Sequence, residues 1–581
     1  MLLAATAVAA TGVYAGARFR NANGETVTGC EHGSRNVSMG VDPSALDWAT
    51  ALTGVYNDSN HQVSGLCVHI AVSPLPLDQA AQAIQATPYP GGGAPPEIWL
   101  PSSTTAVELL RARPTSKPVI PATSPSLASS PLVLAAPAEA MAAIAGPGGS
   151  KLQFADYLNM SRDAEGWGKL GHPQWGPVRF SSPDPHGSDT GISLIEAVAT
   201  TSAGVPLDQT TEATFQNQAA MAGILAFVQA LARTTGDPAQ LFDAARGMSS
   251  ASSIVRKFGL MVATEQQVYR YNRTGGGVPL TAAYPFGGTY ASNFPLVSLN
   301  GTWVDGFGHA AAADFANWTN TQQAREIIAD SGLRDPGGKL NGLNVSSAGL
   351  NTLPLMPKPA KAAGVATARG LWNLFSRPTS VLAVCDTSGS MGIQVPGTGA
   401  TRLELVRRAM SNALSAFQQQ DHLGLWEFST ELGAHDYRQV VPLGALSQPV
   451  NGTSRRQALR DGFDQLKPHT ATGLYDTVLA AYEYAQANYL NNGFNTIVLL
   501  TDGENEDDKG LSLDQLMSEL AKRRDPNRPV HLITLAIGDQ TDPATLSKIS
   551  AATDGVSYQS LDLTDIVQLF LSAQVTLAAS T

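Results

Sequence analysis

From residue 380 to the C-terminus, short apolar runs alternate with stretches of helical spacing, and this alternation constrains the chain more than any other feature. The run 381–384 is followed by Leu403, Val406, Met410, Ala413, Leu414 and Phe417 on one helical face. Further apolar runs cover 423–428, 497–500 and 532–537. A strand–helix–strand order of this kind calls for largely parallel sheets with helices covering both faces. The first half reads the same way. Asp42-Pro43 is a helix start, with a carboxylate as N-cap and proline in the first turn, and Leu46, Ala49, Leu52 and Tyr56 follow at helical spacing. Residues 36–41, 66–72, 98–100 and 132–136 read as strands and 77–84 as a helix, with the alternation continuing to about residue 334.

At 581 residues the chain has room for several domains of roughly 150 residues each. The net charge is −11 and no block of basic residues stands out, which argues against a nucleic-acid partner. Residues 350–378 hold four prolines and a short basic-aromatic stretch (Lys358, Lys361, Arg369, Trp372, Arg377), and read as a linker or docking segment. The expected division is 1–20 as a signal or membrane anchor, 30–345 as a first domain, 346–378 as a linker and 379–581 as a second domain.

Residues 1–17 carry no charged side chain and precede Arg18 and Arg20. They read as an export signal or a single membrane anchor, with a buried core helix as the plain alternative. Cys30 lies just before one expected strand and Cys67 near the start of another. If those strands are parallel neighbours, the two thiols share a sheet edge and can bridge, which stabilises by about 3–4 kcal/mol and fits an oxidising compartment. The third cysteine, Cys385, sits in an apolar run and reads as a buried inert thiol.

The run 381–384 leads into Asp386-Thr387-Ser388-Gly389-Ser390, and the run 497–500 into Thr501-Asp502-Gly503. Strand C-terminal ends are where ligands bind in open α/β sheets, and oxygen side chains of this kind suit Mg²⁺ rather than zinc. These residues resemble the von Willebrand factor A domain with its metal-ion-dependent adhesion site. Asp386, Ser388 and Ser390 match its D-x-S-x-S motif, residues 472–476 resemble its threonine loop and so give Thr472, and Asp502 completes the set. The resemblance implies a doubly wound, Rossmann-like domain with Mg²⁺ or Mn²⁺ as cofactor. It also implies hydroxyls that bind the ion directly and aspartates that act largely through water or hydrogen bonds. A protein partner would then supply a carboxylate to the open coordination position. Asp476 and the run 504–508 read as a second shell, a partner-selecting rim or simply a solvated acidic loop.

Residues from about 30 to 340 resemble the bacterial type II extracellular solute-binding proteins. The segments that carry this are 36–41 with the following helix, LASSPLVLAAP (127–137), RFSSPDPHGSDTG (179–191), YPFGGTY (284–290) and GLRDP (332–336). The resemblance implies two α/β lobes with a cleft, the chain crossing between them twice; 120–130 and 265–274 are the expected crossings. Ser102, Ser103, Ser129, Ser130, Ser188, Asp189 and Thr190 precede helical patterns, where free N–H groups favour an anionic ligand, or where the same residues serve only as caps. Tyr284 reads either as a cleft residue or as packed core.

The sequence holds no nucleophile elbow, no zinc-protease helix and no phosphate-binding loop, so a binding protein is expected rather than an enzyme. The leading expectation is an exported cell-envelope protein recognising a protein partner through the metal, tuned by a small solute in the N-terminal cleft. The alternative is solute capture for a membrane permease, with the A domain as docking module.

Overall fold

The computed structural model describes residues 30, 32–85, 95–146, 152–185, 188–235, 239–286, 288–340, 362–414, 417–502, 504–537, 542–560 and 573. The signal or anchor expected over 1–20 lies outside the described residues, as do residues 346–361 of the expected linker. Two compact units emerge: one takes in residues up to 197 with 206–210 and 231–365, the other 198–205, 211–230 and 366 onwards.

In the first unit, β1 (Ser34–Val41) ends in Asp42, whose carboxylate accepts the Ser44 N–H at 2.9 Å and starts a single 3-10 turn. The helix Leu46–Asp58 follows and buries Trp48, Ala49, Leu52 and Tyr56 against Val37, Met39 and Val41. β2 (Gln62–Val63) and β3 (Leu66–Pro74) form a hairpin. Its two-residue turn, Ser64-Gly65, has φ of 51° and 81°, the left-handed geometry that suits tight hairpins. β1 pairs in parallel with β3 and with β4 (Ile98–Leu100). This register sets Ser34 opposite Cys67, and Cys30 is bonded to Cys67 with Cα atoms 5.5 Å apart.

The chain then enters a second sheet with β5 (Ser130–Pro137), β6 (Phe180–Pro183), β7 (Leu231–Thr235), β8 (Leu260–Thr264), β9 (Leu280–Ala283) and β10 (Ala291–Ser292), in the order β10-β5-β8-β6-β7 with β9 beside β5. It returns through β11 (Val297–Ser298), which lies antiparallel on β4. Two expectations are corrected here. The second sheet is mixed rather than largely parallel, because β5 runs antiparallel to β8, β9 and β10, whereas the first is parallel apart from its two-residue edge strands β2 and β11. The second crossing is not at 265–274, which forms the helix Glu265–Thr274; Thr264 and Gln267 close a capping box at its start. The return runs through 293–296 instead, where Leu127 N–H bonds Phe294 C=O at 3.0 Å and Leu296 N–H bonds Pro125 C=O at 2.8 Å. A third strand of contact pairs Ser129 with Arg334.

The main stretch of the second unit begins at 366, inside the helix Ala362–Ser376 and within the segment read as linker, and continues into β12 (Thr379–Asp386). A small hairpin, β13 (Gln394–Val395) with β14 (Ala400–Thr401), precedes the helix Arg402–Ala413. β15 (His422–Phe428), β16 (Tyr437–Ala445), β17 (Phe494–Thr501), β18 (His531–Ile537) and β19 (Val556–Ser560) complete a sheet in the order β16-β15-β12-β17-β18-β19. Its pairs are parallel except β15 with β16. All eight residues of β12 are buried, and they alternate. Val381, Ala383 and Cys385 pack with Leu403, Val406 and Phe463, whereas Leu382 and Val384 pack with Val478, Tyr482 and Leu516. A central strand buried on both faces has its one free end at the sheet edge, and that end carries Asp386.

Candidate functional site

Parallel pairing sets the ends of β12 and β17 side by side, so Asp386 and Asp502 arrive at the same sheet edge. Asp386 is fully buried; it accepts the Ser388 N–H at 2.7 Å on Oδ1 and the Thr501 hydroxyl at 2.5 Å on Oδ2. The turn this creates brings Ser388, itself buried, and Ser390 together, their Oγ atoms 3.0 Å apart. Ser390 Oγ donates to Asp502 Oδ1 at 2.7 Å, and Arg402 Nη1 donates to Asp502 Oδ2 at 2.6 Å. Burial pushes the Asp386 carboxyl up to about 6, the hydrogen bonds from Thr501 and Ser388 pulling against it and the Asp502 charge adding to the rise.

Thr472 stands on the next loop, 1% exposed, with its N–H on Glu506 Oε2 at 3.0 Å. That loop is tied to the serine turn by Gly389 N–H to Thr470 C=O at 2.7 Å. Asp386, Ser388, Ser390 and Asp502 thus form one hydrogen-bonded set, with Thr472 held on the adjoining loop. Among the described residues no group of three His, Cys, Asp or Glu side chains is arranged around a common point. The set here has two carboxylates and completes its oxygens with hydroxyls, a donor chemistry that fits a hard divalent cation.

Arg402 was missed by sequence reasoning. It sits in the first turn of its helix, where a cation opposes the helix dipole, and its side chain is 9% exposed. An arginine so placed needs a buried acid, and that was the available signal. The acidic run is no isolated loop: a cavity of about 570 Å³ is lined by Asp436, Asp476, Glu483, Glu506, Asp507 and Asp508 among others. Burial, with the charges of Asp507 and Asp476, raises the Asp436 carboxyl above the ordinary range.

In the first unit, Ser102 Oγ donates to Asp189 Oδ1 at 2.6 Å and Ser103 Oγ donates to Asp189 Oδ2. Ser103 is also the N-cap of the helix Thr104–Arg111, so an internal carboxylate occupies the position where an anionic ligand was expected. Burial raises the Asp189 carboxyl while the two serines pull it down. Half-buried Asp42 is pushed up to about 6 by desolvation and by the Asp189 charge. Ser188 and Thr190 flank Asp189 and are buried with it.

The other expected ligand residues are engaged elsewhere. Ser129 Oγ donates to Asp335 C=O at 2.8 Å, and Ser130 Oγ accepts the Gln266 N–H at 3.0 Å. Tyr284 OH donates to Glu265 at 2.7 Å, beside the fully buried pair of Glu265 and Arg334.

Comparison with known families bears on both units. The family described as von Willebrand factor type A domain matches residues 380–571, and that described as bacterial extracellular solute-binding protein matches 52–334. Both domains are present in this chain. Two uncharacterized proteins of Mycobacterium tuberculosis strains are each 26% identical over 566 residues, covering 94% of this chain and 77% of the relative. Among solved structures, a von Willebrand factor type A protein from Catenulispora acidiphila is 18% identical with a TM-score of 0.28, covering 35% of this chain and 43% of that one, less than half its length. A periplasmic thiamin binding protein is 10% identical with a TM-score of 0.40, covering 62% and 99%. Adhesion and solute binding are the work of these two families, not catalysis, and they act outside the cytoplasm. The protein is accordingly an extracytoplasmic, cell-envelope binding or adhesion protein.

Proposed function

We propose that the A domain, taken as residues 379–581, recognises a protein partner through Mg²⁺ or Mn²⁺ held by Asp386, Ser388, Ser390, Thr472 and Asp502. The observation that carries this is the continuous hydrogen-bonded path from Ser388 through Ser390 to Asp502, at the sheet edge where Asp386 also ends. When bound, the ion supplies a Lewis-acidic position open to an outside carboxylate. The chain's own residues set its strength. Ser388, Ser390 and Thr472 offer neutral oxygens, and Arg402 already offsets the charge of Asp502. Little negative charge is left to satisfy the ion, which favours an anionic partner group. The acidic cavity beside Asp476 supports a partner whose acid is flanked by basic residues.

In the same reading, Asp189 is a latch on the N-terminal cleft. A small solute gains the Ser102 and Ser103 hydroxyls only when Asp189 withdraws. The test of the metal reading is affinity capture from envelope extracts with the full chain, in Mg²⁺ and in EDTA, beside direct Mn²⁺ titration by electron paramagnetic resonance. Partner retained in Mg²⁺ and released in EDTA supports the reading. Equal retention in both, with no Mn²⁺ bound, removes it.

A further inference from the structure

Among the described residues only two large apolar side chains stand exposed, Phe286 in the first unit and Ile393 in the second. Ile393 is 48% exposed, whereas Met391, two residues earlier, is wholly buried. The backbone of Ile393 is held from both sides. Its N–H bonds Ser390 C=O at 3.0 Å, and its C=O accepts the Arg402 N–H at 3.1 Å. Ser390 and Arg402 are the residues whose side chains grip the Asp502 carboxylate. The exposed isoleucine thus stands on the rim of that set, tied to both holders of Asp502.

The neighbouring loop extends this apolar rim. Gly392 lies against Pro468, close enough that a Cβ on the glycine would be 3.4 Å from the proline Cγ, and Pro468 is itself exposed. His469 N–H bonds Thr387 C=O at 2.6 Å, which fixes that loop to the turn carrying Ser388. The residues after Asp502 are charged instead, Glu504, Glu506, Asp507 and Asp508 among them. A side chain on backbone held this way has little ordering entropy left to lose. Apolar surface laid against it therefore counts toward affinity with little offset.

We infer that Ile393, with Pro468 beside it, is a specificity-determining contact, selecting a partner acid that carries aliphatic carbons next to its carboxylate. This rests on the metal reading above and adds to it the chemistry that accompanies the acid. The metal takes any carboxylate; the isoleucine rewards one with an apolar neighbour.

The test is calorimetric titration of the full chain in Mg²⁺ with acetate and with hexanoate, repeated in EDTA and with Ile393→Ser. Hexanoate is expected to bind about tenfold more tightly than acetate, a ratio that burying about two further methylenes supplies. Ile393→Ser is expected to bring the two acids within about twofold of each other. Mn²⁺ binding by that variant, read by electron paramagnetic resonance, checks that the site is intact. Binding of neither acid in Mg²⁺, or equal binding in EDTA, removes the metal reading and this inference with it. Equal affinity of the wild-type chain for the two acids, or the same gap in Ile393→Ser, overturns this inference alone.

Discussion

The two units each gather a pair of aspartates and a pair of serines, and they arrange them to opposite effect. At the A-domain sheet edge, Arg402 neutralises Asp502 and the two serine hydroxyls meet each other, each with acceptor capacity to spare. In the first unit, Asp189 takes both serine hydroxyls, and no cationic side chain among the described residues pairs with it or with Asp42. The first set has the charge of Asp502 offset by an arginine. The second has used both serine hydroxyls on one carboxylate and holds both its aspartates above their usual range, as burial does for Asp386 in the first. The same residue types are thus paired with a cation in one place and with one another in the other, and the difference is one guanidinium.

Removing that guanidinium is the sharpest way to break the contrast. Arg402→Met leaves the buried Asp502 charge unpaired and is expected to destabilise the A domain by about 3 kcal/mol in urea unfolding, with saturating Mg²⁺ recovering part of the loss. An unchanged midpoint would mean that the guanidinium is not what separates the two clusters. Asp386→Ala is expected to lower Mn²⁺ affinity about 100-fold, read by electron paramagnetic resonance, with the far-ultraviolet spectrum preserved. Ser388→Ala comes next, at about tenfold in the same titration. If the serine variant proves the weaker binder of the two, the hydroxyls rather than the carboxylates dominate the set.

The smallest effect concerns the closure. Asp42, at about 6, and Asp189, raised as well, bind protons in the folded state that the unfolded chain has released. Their contribution is therefore fully present below the unfolded value near 3.8 and lost as pH rises through about 6. Asp189→Asn removes one charge of the pair and is expected to flatten that decline by on the order of 1 kcal/mol between the two limits, measured as the difference in unfolding free energy from wild type across pH. Parallel curves for the two proteins would show that the pair is not linked.

Much of this was legible because strands buried on both faces write themselves as apolar runs. Residues 381–384, 497–500 and 532–537 all fell inside observed strands, and the oxygen-rich turns after two of them face one another. Strand direction was not legible: nothing local in 132–136 says that β5 runs against β8 and β9, since that depends on where the chain has just crossed. The misplaced crossing at 265–274 had a local signal that was passed over. Thr264 followed three residues later by Gln267 is a capping box, and it announces a helix. The pairing of Asp189 with Ser102 and Ser103 lay beyond reach, because they are 87 and 86 residues away from it in the chain.

Cys385 adjoins Asp386 on β12, wholly buried, with burial holding its thiol far above the ordinary range. Two of the chain's three cysteines are bonded to each other, so this sulfur is its single unbonded one. That makes it a natural clock for the strand end: a maleimide reacts with it only in the moments when β12 peels from its neighbours. The labelling rate then reports how often the rim beside it comes apart, without adding a single foreign probe to the chain.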